Sequence, residues 1–525
     1  MPFSNRHYQR KIGFIFIALS LLVTTINDTI LNVSLPIIAR ELNASTSDLQ
    51  WIQNAYLLVF SSFLLTMGTL SDRYGRKRFL LLGVASFAFF SLLAGFAPNS
   101  KVLILARALQ GFSGAIIMPS TLSLIAAIFP EPAANRKAIA IWSAMFGLGV
   151  GIGPVLGGWI LSLDVFSWKS IFYINIPFAL IAFSGVALFL PESRDKSAPP
   201  ADIPGVFLSI LALFTLVFAI IDAGEAGWGQ PRTLISLAVS FVLLSLFLLW
   251  EKRAKHPMLP LHFFRNKAFA TASFSMAITL FSLMGVFFFI PQFFQGIQYY
   301  SPLETGLLMI PQAMISVIVS MLSHRVVRRM GIRRAISGGF LLGAIGVLYL
   351  GLILQADTAY PVILLGFLFL FTGIDTAMPA ATMTIMGSVP EEKAGVGSAM
   401  NEMTAQIGAA LGIAVMGAVV NRTYLQHIRV LDLQLSPGLL EGIRSSIFSA
   451  RAALLESGLA NSEVLITDVN SGFLQGLRNS MLLGSVLLLG TAILAAVLLP
   501  DKPEKINNPE KSLRVQSDLT RPDRG

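Results

Sequence analysis

Gly68-Thr69-Leu70-Ser71-Asp72-Arg73-Tyr74-Gly75-Arg76-Lys77 is the stretch on which the reading of this chain turns. It closes one apolar run (51–70) and leads directly into another (79–98), so it is a short charged turn between two hydrophobic helices. Gly68 allows close helix approach and Gly75 permits a tight turn. Asp72 falls where the first helix stops, and Arg73, Arg76 and Lys77 can pair with it or with helix C-termini, whose dipoles favour cations. The pattern returns later in the chain. Leu70-Ser71-Asp72-Arg73 followed by Gly75-Arg76-Lys77 is answered by Leu322-Ser323-His324-Arg325 followed by Gly331-Ile332-Arg333. A second echo pairs Met118-Pro119 with Met378-Pro379, each leading to a Pro-Glu, at Pro130-Glu131 and Pro390-Glu391. Two echoes in the same order imply a duplicated chain.

The surroundings of both loops are membrane-like. Of 525 residues, 54% are hydrophobic and 13% charged, whereas a soluble domain carries about 25% charged residues; mean hydropathy is +0.72. Soluble enzymes, disordered proteins and nucleic-acid modules are excluded. Fourteen apolar runs are long enough to span a bilayer, at 12–38, 51–70, 79–98, 102–129, 138–162, 170–190, 203–223, 233–250, 268–292, 304–322, 335–355, 360–387, 395–420 and 480–499. An even count puts both termini on one side. Among the 38 Lys and Arg, only Arg40, Lys101, Lys169, Arg232 and those between 421 and 478 fall in the opposite loops; apart from Arg107 inside a span, the rest flank the termini. The positive-inside rule places that face in the cytoplasm, so the net charge of +10 faces anionic lipid and not nucleic acid. Duplicated membrane halves with a site at their interface are the architecture of alternating-access transporters; the runs at 203–223 and 233–250 are then an inserted pair.

Within the spans, a few residues carry chemistry. Arg107 lies in the fourth run, where a charge is tolerated only if it faces the bundle interior or a water-filled cavity and finds a carbonyl or carboxylate. Asp28 shares a helix face with Thr24 and Asn32, and Glu402 shares one with Ser398 and Gln406. Asp375 clusters with Thr372, Thr376 and Pro379. Acids facing lipid would each cost several kcal/mol, so these faces are expected to line a shared polar cavity. A carboxylate withdrawn from water holds its proton more tightly and a nearby cation loosens it, which is what a proton-exchange element requires. In the fifth run, Gly147, Gly149, Gly151, Gly153, Pro154, Gly157 and Gly158 crowd together; Gly149, Gly153 and Gly157 form a smooth stripe expected to seal against, or slide past, a neighbouring helix. The absence of Cys removes thiolate chemistry, the His residues lack metal-ligand spacing, and no G-x-x-x-x-G-K-[ST] loop is present to use ATP. No metal, no cofactor and an ion gradient as the energy source are therefore expected.

These motifs resemble the major facilitator superfamily, and specifically its fourteen-helix drug:proton antiporter branch. Asn27 through Pro36 is similar to that branch's first-helix signature, 68–77 to the superfamily's inter-helix motif, Arg107 through Gly114 to its fourth-helix motif and Gly149 through Gly158 to its antiporter motif; Trp168 through Pro177 and Gly397 through Gly412 resemble further segments. The resemblance implies an all-α membrane protein with a major facilitator fold of two six-helix bundles plus two inserted helices. The expected divisions are 1–198, the inserted pair 199–262, a second bundle 263–500 with an outer loop at 421–478, and a disordered cytoplasmic tail 501–525. It implies that Asp28, Arg107 and Glu402 serve proton coupling or cationic-substrate binding. Ser316 and Gln406 occupy places where some multidrug members carry another acid; Asp375 lies outside the pattern as a substitute acid, and His324 weakens the second-half latch relative to Asp72. The expected activity is proton-coupled export of amphipathic, cationic drugs across a bacterial cytoplasmic membrane, with Met276 and Phe287-Phe288-Phe289 offering adaptable apolar contacts. The rival is a dedicated exporter of one metabolite, fatty acid or siderophore working with a periplasmic adaptor. An amphipathic helix is expected around 437–456.

Overall fold

The computed structural model describes residues 3–163, 167–195, 200–390, 394–430 and 435–500. The expected tail, 501–525, and Glu391 of the second echo lie outside the described residues. Within them no strand occurs, and fourteen helices are long and apolar enough to cross a membrane. They are α1 (Arg10–Glu41), α2 (Thr46–Tyr74), α3 (Arg76–Gly95), α4 (Ser100–Ile128), α5 (Ala133–Leu161), α6 (Ser170–Phe189), α7 (Ile203–Glu225), α8 (Pro231–Arg253), α9 (Lys267–Gly296), α10 (Pro302–Met330), α11 (Ile332–Ile353), α12 (Tyr360–Gly387), α13 (Gly395–Arg429) and α14 (Ser462–Leu498). Each expected run has its helix, and the protein is a multi-pass membrane protein.

Helix starts follow local chemistry. Before α2, the Ser45 hydroxyl accepts from Asp48 N while Asp48 accepts from Ser45 N, a reciprocal cap that satisfies two end donors; Ser301 and Glu304 repeat it before α10. Two boundaries depart from expectation. α14 starts at Ser462, far before 480, because its first turns carry Asp468, Asn470 and Arg478 and are invisible to a search for apolar runs. The amphipathic segment 437–456 is two helices, Pro437–Ser445 and Ile447–Glu456, because Ser446 is extended (φ −161°, ψ 162°) and its side chain caps the second.

α1 to α6 pack on one another, as do α9 to α14; α7 lies against α8, α2 and α13, and α8 packs chiefly on α7. The outer flank of α8 leaves Ile235 63% and Phe241 72% exposed, surface suited to acyl chains. The two bundles meet along α2–α13, α1–α9 and α5–α10. α7 thus covers the α2–α13 seam, and no inserted helix covers α5–α10.

The turn that opened the sequence analysis joins α2 to α3. Gly75 has φ +130°, a backbone region that L side chains rarely adopt. Arg76 Nε donates to Asp72 Oδ1 at 2.7 Å, Arg76 N to Ser193 O at 2.9 Å and Lys77 Nζ to Ala187 O at 2.7 Å. Glu192, beyond α6, accepts from Lys77 N and Arg78 N, placing an anion on the free donors at the start of α3. Gly331 repeats the positive φ, at +82°, between α10 and α11, and Pro119 and Pro379 lie inside α4 and α12 alike. A Cβ at position 75 would lie 2.9 Å from Glu192 Oε1. Gly75→Ala should therefore cost about 1–3 kcal/mol, read as a lowered thermal-unfolding midpoint in detergent; an unchanged midpoint would show that this turn is slack.

Candidate functional site

Arg107 on α4 is fully buried, and each of its groups meets an acceptor or a ring. Nε donates to Ile52 O at 3.2 Å, Nη1 to Gln110 Oε1 at 3.0 Å and Nη2 to Asp28 Oδ1 at 3.3 Å; the Tyr56 ring centroid lies 4.5 Å from Cζ. Its acid partner differs in one respect, since the Asp28 side chain keeps 25% of its surface exposed. The pair is therefore held from the protein side and open on the other.

The bonds continue past Gln110. Its Nε2 donates to Ser91 Oγ on α3 at 2.8 Å, and Asn175 Nδ2 on α6 reaches both Ser91 Oγ (3.4 Å) and Asn27 Oδ1 (2.7 Å). Asn27 precedes Asp28, so the network returns to α1. This accounts for Asn175 within the Trp168–Pro177 segment: it holds the side chain of the residue next to the acid. Buried hydrogen-bond networks of this kind hold their members in one arrangement.

Glu402 on α13 is half-buried and accepts from Gln406 Nε2 at 2.7 Å. The Tyr56 hydroxyl on α2 is within electrostatic range of Asp28, Arg107 and Glu402. Tyr56 carries no signal of its own in the sequence, because an aromatic in an apolar run looks like packing. Asn32, next on the Asp28 face, is 4% exposed. Asp375 stands apart: it is 8% exposed, Ser316 of α10 is in hydrogen-bonding reach, and Oδ2 has no protein partner. No described bond ties it to Asp28 or Glu402. Met276 and Phe287-Phe288-Phe289, expected as cargo contacts, are core residues: Phe287 meets Phe371 edge-on and Phe289 meets Phe473.

The glycine stripe packs closely on a neighbouring helix of its own bundle. A Cβ on Gly149 would lie 2.8 Å from Thr25 Cβ, one on Gly153 2.9 Å from Thr29 Cβ, and one on Gly157 3.2 Å from Ile30 O, all on α1 of the same bundle. Thr29 Oγ1 also donates to Gly149 O at 3.2 Å. The contact between bundles is made by the remaining residues of the motif. Gly158 presses on Pro302 and Leu303 of α10, and Gly306 on Pro154 and Val155.

These contacts lie towards the face opposite the termini, where Gln295 Nε2 of α9 also donates to Val33 O of α1 at 2.8 Å, Thr46 Oγ1 to Ser445 O at 3.4 Å, and Gln50 lies against Gly417. Towards the terminal face α5 and α10 part: a Cβ on Gly147 would meet nothing within 4 Å, and Met314 and Met321 are 59% and 69% exposed. Along the α5–α10 seam the bundles are therefore closed towards one face and splayed towards the other.

Comparison with known proteins gives the following. The family described as Major Facilitator Superfamily matches residues 17–413. The chain is 32% identical over 481 residues to the multidrug efflux pump LfrA of Mycolicibacterium smegmatis, covering 92% of this chain and 94% of that one. It is 33% identical to the tetracenomycin C resistance and export protein of Streptomyces glaucescens, covering 77% and 74%. Among solved structures, a bacterial homolog of the human lysosomal transporter Spinster superposes with TM-score 0.69 at 17% identity, covering 93% of this chain and 97% of that one.

Proposed function

Because the chain belongs to the Major Facilitator Superfamily, we propose that it is a proton-coupled antiporter exporting amphipathic, cationic drugs or toxic compounds across a bacterial cytoplasmic membrane, with both termini in the cytoplasm. The carrying observation is Asp28, ion-paired to buried Arg107 and still with a quarter of its side-chain surface exposed. The relatives named for multidrug efflux and for antibiotic export support the direction and the class of cargo. In this reading the splayed face is the cytoplasmic one. The cargo cation enters there, or from the inner leaflet, and meets Asp28 and Glu402 as anions. After the bundles rock, protons arriving from the other side neutralise the acids and release the cargo. Proton and cargo compete for one site, so each loads as the other leaves. Asn32 and Gln406 line the path, and Asp375 serves as a further acid of the second bundle. The proton gradient is the sole energy source; no cofactor, metal, nucleic acid or catalytic step takes part, and lipid and the small cargo are the partners.

Cells making the protein should accumulate less of a lipophilic cation such as ethidium, and an uncoupler should erase the difference. Glu402→Gln should weaken cargo-driven proton release by about tenfold, equivalent to about 1.4 kcal/mol, as followed by a pH dye in inverted vesicles. Export that survives the uncoupler undiminished would overturn the reading. Protection against a single neutral compound would favour the dedicated metabolite exporter with an adaptor.

A further inference from the structure

α2 carries a second set of polar side chains that the Arg107 network does not use. Ser47, Gln50 and Asn54 recur at intervals of three and four, so they follow one helix face inward from the closed end; Gln53 lies beside them. Gln50 and Asn54 are 0% exposed and Gln53 1%. Both amide atoms of Gln50, both of Asn54 and Gln53 Oε1 have no hydrogen-bond partner in the protein, while Ser47, nearest the closed end, is in hydrogen-bonding reach of the Glu225 carboxylate on α7. Reversing the amides changes nothing for Gln50 or Asn54, because nitrogen and oxygen are unpaired alike. The face looks into the α2–α13 seam at Gly417 and leads to Asp28, whose backbone carbonyl accepts from Gln53 Nε2 at 3.5 Å.

Buried polar groups in native proteins are bonded to protein or to ordered water, and a polar site with several converging partners is where buried water is held. Apolar side chains would fill a seam needed only for closure. We propose that Ser47, Gln50, Asn54 and Gln53 hold a file of ordered water that conducts protons from the face opposite the termini to the Asp28 carboxylate. The inference rests on the proton-coupled reading above and adds its entry route. A proton from bulk water joins the outermost water; each water passes one proton inward as it receives one. The last delivers to Asp28, leaving a neutral carboxyl and freeing Arg107 of its counter-charge. Water in single file conducts while the seam stays shut to cargo.

Two assays on reconstituted protein separate this role from packing: export driven by a proton gradient, and cargo-for-cargo exchange at equal pH, which needs no net proton flow. Gln50→Leu and Asn54→Leu should slow gradient-driven export by about tenfold and leave cargo exchange at its wild-type rate. Asn54→Ser, polar and small enough to admit water, should restore most of the driven rate. A fall in both assays together, or no fall in either, overturns the proposal. Should the leucine variants fail to fold, a high-resolution map of the unmodified protein decides: ordered water bonded to the Gln50 and Asn54 amides is expected, and a dry contact there overturns it. A wild-type protein that moves cargo with no proton flux overturns the exporter reading instead.

Discussion

Asp28→Asn is expected to abolish cargo-driven proton release and to lower stability. The amide is nearly the same shape, so Arg107 Nη2 keeps an acceptor in the place of Asp28 Oδ1, 3.3 Å away. What it loses is the opposing charge. Arg107 is fully buried, and removing one partner of a buried pair costs about 3–5 kcal/mol. Asp28 keeps a quarter of its side-chain surface exposed, so solvent screens part of that and about 1–3 kcal/mol is the expected loss. The Tyr56 ring and the carbonyl of Ile52 remain to hold the cation, which is why the variant should still fold. Arg107→Met should also stop export. The double variant should be less destabilised than the two singles added together, since the charge stranded by either change is then gone. Thermal unfolding gives the cycle and a pH dye in vesicles gives the coupling; undiminished proton release by Asp28→Asn would remove Asp28 from the mechanism.

Much of this arrangement was legible in the sequence. Apolar length alone gave fourteen crossings, since a bilayer admits few other structures, and the unaffordable charges Asp28, Arg107 and Glu402 identified themselves by being there. The pairing of Arg107 with Asp28 was not legible: it joins α1 to α4 across 79 residues, as Asn175 joins Asn27 across 148. Glu192 escaped notice for the same reason, since nothing in 68–77 announces an anion arriving from beyond α6. Periodicity showed that Gly149, Gly153 and Gly157 share a face, but not that α1 is what they face. Gln50, Gln53 and Asn54 were visible as three amides within an apolar run. They could have been flagged by the rule that caught the acids, and were missed because neutral side chains stand out less than charges.

Gly158→Leu is expected to hold the α5–α10 seam apart and to cost export one to two orders of magnitude. A Cβ at this position would lie 2.8 Å from Leu303 Cα and closer still to the carbonyl of Pro302. These are backbone atoms and cannot rotate away, so the helices must separate. Overpacking of this kind costs about 1–3 kcal/mol. The cost falls only on the state in which this seam is closed; in the state where it has opened, the added side chain meets nothing at α10. A penalty borne by one of two states shifts their ratio, here by about 5–150-fold, and a transporter confined to one state completes no cycle. The chain has no Cys, so Ser162→Cys and Leu307→Cys, exposed positions just past the end of α5 and on α10, accept spin labels without background. Their distance distribution should shift to longer values in the Gly158→Leu protein. Gly147→Leu is the matched control, because the same side chain placed where a Cβ meets nothing within 4 Å should leave the distribution as in the parent. Wild-type distances and export in Gly158→Leu would show that the close pass of α5 over α10 is not the seal.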